Sequence, residues 1–333
     1  EIPALQPSSP VLQEDLGIPN VAHWCLDAAR QALSAAQVST DSSVPKPIAV
    51  VLGNSISALE TLRGCLFAEG ARSLSAITPK ELARLNPAFA AAYLAQELGL
   101  EGEIVNLCSA CSSSTSAIGY AVRLIRHGEA EMVLTGGADE GVSPLFLGAF
   151  NNGLCLSRRN HEPEKASRPF ERNRDGSVQG DAACILMVED YRHAIRRGAE
   201  IVAEITGFGS AGDRKFALKF PKATEPGVRA IRAALNNART EPAEIGYYSA
   251  LGVAHPWIDV LETRVIREVF GDQAKNLQAS SIRSMIGHPM GATLWRERKF
   301  ARRQGKRYSP ALCRGHRAGE RDAQGRSGMG RHG

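Results

Sequence analysis

The chain has 333 residues, 43% of them hydrophobic and 23% charged, the balance of an ordinary soluble globular protein. Its formal net charge of +5 is local: residues 294–333 hold 12 Lys or Arg against 3 Asp or Glu, so the rest of the chain sums to −4 and a nucleic-acid-binding class would rest on that tail alone. No apolar run nears the roughly 18 residues of a membrane span. Residues 1–15 lack the basic-then-apolar order of a secretory leader, so a cytoplasmic protein is expected.

A helix is predicted near 19–36, with Val21, Trp24, Ala28 and Leu33 roughly on one face. A polar linker at 39–47 precedes the apolar run Ile48-Ala49-Val50-Val51-Leu52, which reads as a buried strand ending at Gly53. Helices follow near 58–67 and 87–98, the second capped by Gly99. A strand at 103–108, a helix at 113–127 and a strand at 130–135 that ends in Gly136-Gly137 make a βαβ unit with parallel strands. Ala117, Ile118, Ala121, Val122 and Ile125 give that helix one buried face. Strands at 183–189, 201–207, 245–251 and 277–283 then alternate with helices at 191–197, 227–238 and 259–270, so the fold class is α/β. From Leu294 onward Arg, Gly and Ala dominate without periodicity, a composition expected to be disordered.

The seven cysteines are odd in number and widely spaced, which argues for reduced thiols. Cys108 and Cys111 form one C-x-x-C; a zinc site would want a second ligand pair, while a thioredoxin-type pair at a strand-to-helix junction stays open. Cys111 sits at a helix N-terminus, where the dipole and free backbone N–H groups favour thiolate. Small neighbours leave room for a substrate to reach sulfur. On these local features alone a buried structural cysteine is the somewhat commoner outcome. The stretch Gly207-Phe208-Gly209-Ser210-Ala211-Gly212 matches G-x-G-x-x-G, but Asp213-Arg214-Lys215 follows where a helix should start, so the glycines read as structural. Asp139-Glu140 reads as a solvated acidic pair on a loop, and Asp181 as structural.

The wider pattern changes that balance. Ser109-Ala110-Cys111-Ser112 with Ala117-Ile118-Gly119 is followed by Leu134-Thr135-Gly136-Gly137-Ala138-Asp139. Next come Leu156-Ser157, Ala166-Ser167-Arg168-Pro169-Phe170, Arg174-Asp175-Gly176 and Gly180. Glu189 precedes His193-Ala194 and Arg197-Gly198-Ala199. Glu262-Thr263, Val269-Phe270-Gly271, Ser280-Ser281 and Ser284-Met285-Ile286-Gly287-His288 close the series. In this order, from about Val50 to Ala292, the motifs resemble those of the β-ketoacyl synthases. The resemblance implies a thiolase-like αβαβα five-layer fold of two similar halves: residues 1–203 as the half with the nucleophile, 204–293 as a partial second half, and 294–333 as a basic tail. It implies acyl transfer from an acyl carrier protein onto Cys111, then decarboxylative condensation with a malonyl thioester in fatty-acid or polyketide assembly. It also implies a homodimer packed near the nucleophile strand, or a ketosynthase heterodimer, and no cofactor or metal.

Within that resemblance His288 is the histidine that stabilises the developing enolate oxygen. Three positions depart from the family. Leu251 stands where the family has its other histidine, and losing one such donor costs about 100- to 1,000-fold in rate. His255, four residues on, compensates only if the loop is rebuilt. Arg283 replaces the family lysine, keeping charge but not geometry; Arg283 and His255 are the substrate-binding candidates. Nothing after Ala292 resembles the family's Gly-Phe-Gly-Gly loop, the tail has the composition of a G+C-rich gene read out of frame, and the family's opening strand and helix are expected to precede Glu1. The alternatives to a condensing enzyme are a non-elongating acyl-transfer ketosynthase, a chain-length-determining partner subunit (which would ordinarily lack Cys111) and a nonfunctional fragment.

Overall fold

The structure, a computed structural model, describes residues 17–39, 41–43, 46–57, 78–213 and 223–292. The helix expected near 58–67 and the basic tail lie outside the described residues.

Helix α1 (Asn20–Ala35) leads to strand β1 (Ile48–Gly53). After the short helix α2 (Pro79–Arg84) and helix α3 (Phe89–Leu98) come strand β2 (Ile104–Leu107), helix α4 (Ser113–Arg126) and strand β3 (Met132–Glu140). Helix α5 (Pro144–Asn152), strand β4 (Asp181–Glu189) and helix α6 (Tyr191–Arg196) complete this part. The four strands form one sheet in the order β2-β1-β3-β4. β1 runs parallel to β2 and β3, so α4 makes the parallel crossover that the sequence predicts; β4 is antiparallel to β3.

The apolar run of β1 is continuous because both of its faces are covered. Ile48, Val50 and Leu52 pack with Leu134 of β3 against Val21, Leu26, Ala29 and Leu33 of α1 and Leu94 and Leu98 of α3. The alternate residues Ala49 and Val51, with Val133, pack against Ala117, Ala121 and Leu124 of α4. One β1 residue in two therefore belongs to each layer.

β3 does not end at its glycines as the sequence suggests, but runs through them to Glu140. A Cβ on Gly136 (φ 151°) would lie 2.0 Å from the Cys184 carbonyl oxygen of β4. Glycine is there for close strand pairing. The consequence is a correction: Asp139 and Glu140 lie in the sheet, both buried. Asp181 at the start of β4 accepts a 2.8 Å hydrogen bond from Val142 N, a structural use.

The second part contains helix α7 (Glu225–Ala238), strand β5 (Tyr247–Ser249), helix α8 (Ile258–Phe270), strand β6 (Gln278–Ser280) and the single-turn helix α9 (Arg283–Ile286). β5 and β6 pair in parallel. Val228 and Leu235 of α7 meet Ile245 and Val265, Val269 and Phe270 of α8 in a separate core. Residues 201–213 carry no regular structure, where a strand was expected at 201–207: no described strand runs beside them to receive its hydrogen bonds. They thread between helices instead. A Cβ on Gly207 would meet Ala234 O at 2.4 Å, one on Gly209 would meet Ala230 O at 2.2 Å, and one on Gly119 of α4 would meet the Phe208 ring at 2.6 Å. Gly207, Gly209 and Gly119 thus permit close packing against the helices. Among the described residues no helix is long and apolar enough to cross a membrane.

Candidate active site

Cys111 lies in the turn between β2 and α4. Four serines knit that turn to itself. Ser112 Oγ donates to Ser109 O and Ser113 Oγ to Ala110 O, each at 2.6 Å, while Ser109 N donates to Ser113 Oγ at 2.9 Å and the Ser109 and Ser116 hydroxyls share a 2.8 Å bond. Ala110 takes φ 53°, the left-handed region a non-glycine residue rarely enters, and turns the chain so that Cys111 immediately precedes Ser112, the N-cap of α4. Behind the turn stands Gly53: a Cβ there would sit 2.3 Å from the Ser113 carbonyl. Small residues in this segment thus let β1, the turn and the helix close on one another.

His288 arrives from the other part of the chain. Gly287 (φ 67°) turns the backbone out of α9, His288 N donates to Val178 O at 2.7 Å, and Gly180 N donates to His288 O at 3.3 Å. His288 thereby lies alongside the segment that leads into β4. Its Nε2 is 3.1 Å from Cys111 Sγ, a contact spanning 177 residues of sequence. Its Nδ1 has no hydrogen-bond partner among the described residues.

Burial sets the charge of this pair. It pushes the Cys111 thiol up to about 11, assisted by the negative charge of Asp139, and pushes His288 down to about 3, assisted by the positive charge of Arg283. At neutral pH the pair is a neutral thiol donating to a neutral imidazole. The helix dipole and free N–H groups favour thiolate, and desolvation acts against them here.

Arg283 opens α9 and is 4% exposed. Its Nε has no hydrogen-bond partner among the described residues, and burial lowers its pKa to about 10, opposed by the charges of Cys111 and Glu262. Its backbone is held by Ser167 Oγ, which donates to Arg283 O at 2.6 Å, and by Ser281 Oγ, which accepts from Arg283 N at 3.2 Å. Cys111, His288 and Arg283 thus form one electrostatic group.

The other candidates lie on the loop after β5, which Ser281 ties to Arg283. Leu251 N and Gly252 N donate to the two oxygens of Glu262 at 2.7 and 2.9 Å, and Ser281 Oγ donates to the carbonyls of both residues. Asp259 accepts from Val253 N and Phe170 N, and Arg174 pairs with Asp259 at 3.4 Å. His255 is buried in the same loop; its Nδ1 accepts from Trp257 N at 3.2 Å, and burial lowers its pKa. The negative charge of Asp259 opposes that lowering and the positive charge of Arg174 adds to it.

Sequence reasoning missed Asp139. It is 0% exposed, and its carboxylate accepts from Ser55 N, Ile56 N, Ser57 N and Gly291 N. Those donors lie 82 to 152 residues away in the chain, so no local pattern announces them.

A cysteine at a strand-to-helix turn, faced by a histidine from the other part of a mixed α/β chain, is the arrangement of a nucleophilic thiol with its base. The description "Beta-ketoacyl synthase, N-terminal domain" matches residues 14–194, and "Beta-ketoacyl synthase, C-terminal domain" matches residues 202–294. The chain belongs to the β-ketoacyl synthase family. It is 34% identical over 273 residues to 3-oxoacyl-[acyl-carrier-protein] synthase 2 of Staphylococcus aureus, covering 81% of this chain and 67% of that one. The enzyme of the same name from Coxiella burnetii is 33% identical over 273 residues, of which this chain covers 65%. The chain thus spans about two thirds of the length of the curated relatives it matches. Among solved structures, a β-ketoacyl synthase from Burkholderia phymatum superposes with a TM-score of 0.75 at 32% identity, over 83% of this chain and 66% of that one. A type II polyketide-synthase acyl-carrier protein in complex with its ketosynthase gives a TM-score of 0.77 at 27% identity, over 85% and 70%.

Proposed function

We propose that the protein is a condensing enzyme of fatty-acid or polyketide assembly that carries its acyl group on Cys111. The observation that supports this most is the 3.1 Å contact between Cys111 Sγ and His288 Nε2. In the first step the sulfur attacks the carbonyl carbon of an acyl thioester on a carrier-protein phosphopantetheine arm. The thiol proton passes to Nε2 and on to the departing thiolate, so one C–S bond forms as another breaks. The free N–H groups at the start of α4 favour the negative charge that develops beside them. In the second step a malonyl thioester loses carbon dioxide. The electron pair of the broken C–C bond becomes an enolate, which attacks the acyl carbon and expels Cys111. Once the acyl group is on sulfur, the neutral imidazole gives up its Nδ1 proton and takes one at Nε2 by exchange with solvent, and that Nε2–H donates to the enolate oxygen. Arg283 contributes positive charge beside the sulfur in both steps.

One observation favours a second reading, acyl transfer without elongation. At Leu251 the side chain offers no donor, and the two adjacent backbone N–H groups are occupied by Glu262. Acyl loading does not call on residue 251, whereas enolate formation loses one of two donors. Incubation with acyl- and malonyl-carrier proteins separates the two readings. Enzyme acylation with carbon dioxide release supports condensation; acylation without release supports transfer alone. A folded protein that takes up no acyl group overturns both.

An acyl carrier protein is the partner this chemistry requires, and a cytoplasmic location suits a reaction run through reduced thiols. For self-association, β2 is the edge strand of its sheet, carries the apolar residues Ile104, Val105 and Leu107, and leaves Ile104 45% exposed. Pairing of this edge with a second ketosynthase chain would bring two nucleophile turns close together.

A further inference from the structure

The Cys111–His288 contact joins two loops that are distant in sequence, and one buried carboxylate lies between the segments that carry them. Asp139 Oδ1 accepts from Ser55 N at 3.0 Å, Ile56 N at 2.9 Å and Ser57 N at 2.8 Å; Oδ2 accepts from Ser55 N at 2.8 Å and Gly291 N at 2.6 Å. Gly291 is three residues beyond His288. On the other side, Ser55 O accepts from Cys108 Sγ at 3.9 Å, and Asn54 Oδ1 accepts from Asn106 Nδ2 at 3.2 Å, so residues 54–57 also touch the strand that ends at the nucleophile turn. The clamp has no slack. A Cβ on Gly291 would lie 2.6 Å from Asp139 Oδ2, and one on Gly137 would lie 2.7 Å from Gly291 O.

We propose that Asp139 is the positioning residue of this site: its two carboxylate oxygens tie the loop after β1 to the turn after His288, and that tie sets the distance between His288 and Cys111. The proposal rests on reading Cys111 and His288 as the reacting pair. A buried carboxylate is costly unless its lone pairs are filled, and four backbone N–H groups fill them here. The placement also explains why Asp and not Asn serves. Both oxygens must accept, whereas an amide would keep the three bonds at Oδ1 and present N–H groups to the donor of Gly291.

The test reads the contact itself. Protein labelled with 15N-histidine is compared with and without Cys111→Ala. In the otherwise unaltered chain the substitution is expected to shift the His288 ring signals, because it deletes the sulfur 3.1 Å away; no shift would sink the pair itself, whatever Asp139 does. In Asp139→Asn the same Cys111→Ala substitution is expected to leave the His288 signals unmoved. A shift of the unaltered size would overturn the positioning role, since an Asp139 that only stabilised the fold would lower the unfolding temperature and leave the pair coupled. If Asp139→Asn does not fold, Gly291→Ala attacks the same clamp from its other side and is judged by the same two outcomes. As a kinetic arm, acyl loading is expected to fall about tenfold in Asp139→Asn, the size of one ordinary hydrogen bond. His288→Ala in that background is expected to add little. Multiplication of the two losses would count against the proposal.

Discussion

The nucleophile turn after β2 and the loop after β5 are both strand exits, yet they hold their side chains by opposite means. At residues 109–116 the serine hydroxyls and nearby backbone groups satisfy one another within a few residues, and the cysteine sulfur is left for His288. At residues 251–255 the backbone donors are taken by two carboxylates one helical turn apart on α8, Glu262 and Asp259, with Arg174 closing the set. That loop is as firmly built as the turn, but the side chain it presents at 251 can neither donate nor accept. A site can therefore keep its scaffold and lose its chemistry at a single position, and the variants below separate the two.

The largest effect is expected from Cys111→Ala. It removes the thiol that faces His288, so acyl loading, followed as the mass of the acylated enzyme, is expected to vanish. Loading that persists would move the nucleophile elsewhere and dissolve the contrast between the two loops.

His288→Ala comes next. With Leu251 contributing nothing, the proposed donor to the enolate is His288, and carbon dioxide release is expected to fall about 100- to 1,000-fold. The same variant has a second readout. The folded pKa of His288 lies near 3, below its ordinary 6.5. Between those values the unfolded chain binds a proton that the folded chain refuses, so this stabilisation is complete above pH 6.5 and is lost as the pH falls toward 3. Removing His288 is expected to make the acid limb of denaturant-measured stability shallower. It will not become flat, because burial lowers His255 in the same direction.

How much of this was legible beforehand follows from range. The continuous apolar run of β1, the one-sided helix α4 and the Gly99 cap are local patterns, and each produced the expected element to within a few residues. The positions of Cys111, His288 and Arg283 came from resemblance in register, and the structure places them together. What could not be read depends on partners far along the chain. Asp139 resembles a solvated loop acid until donors 84 and 152 residues away fill its oxygens. Gly136 resembles a strand end until β4 is laid beside it. The charge state of Cys111 depends on desolvation by the whole fold, which a helix-dipole argument does not see.

Gly53→Ala probes scaffold without touching chemistry. Its methyl would fall 2.3 Å from the Ser113 carbonyl, where backbone and not a flexible side chain must yield. A loss of about 1–3 kcal/mol in unfolding free energy is expected, the range for overpacking a tight core. Loading by the fraction that remains folded should drop too, because Ser113 anchors the nucleophile turn. Unchanged stability would mean that the turn is looser than its hydrogen bonds imply.

Leu251→His asks whether the second loop has kept its scaffold for the missing donor. The backbone at 251 and 252 is pinned through Glu262 and Ser281, so a new side chain departs from a fixed Cα. Its surroundings, however, have adapted to leucine, and Arg283 stands where the family has lysine. A full return of 100- to 1,000-fold is therefore not expected; about tenfold is, one added hydrogen bond of ordinary strength. The gain should appear in carbon dioxide release and leave acyl loading unchanged, since residue 251 has no part in the proposed loading step. A gain in both steps would mean that residue 251 acts on the sulfur rather than on the enolate. No gain in either, with the protein folded, would mean that condensation is limited elsewhere, and the non-elongating reading would then be the stronger one.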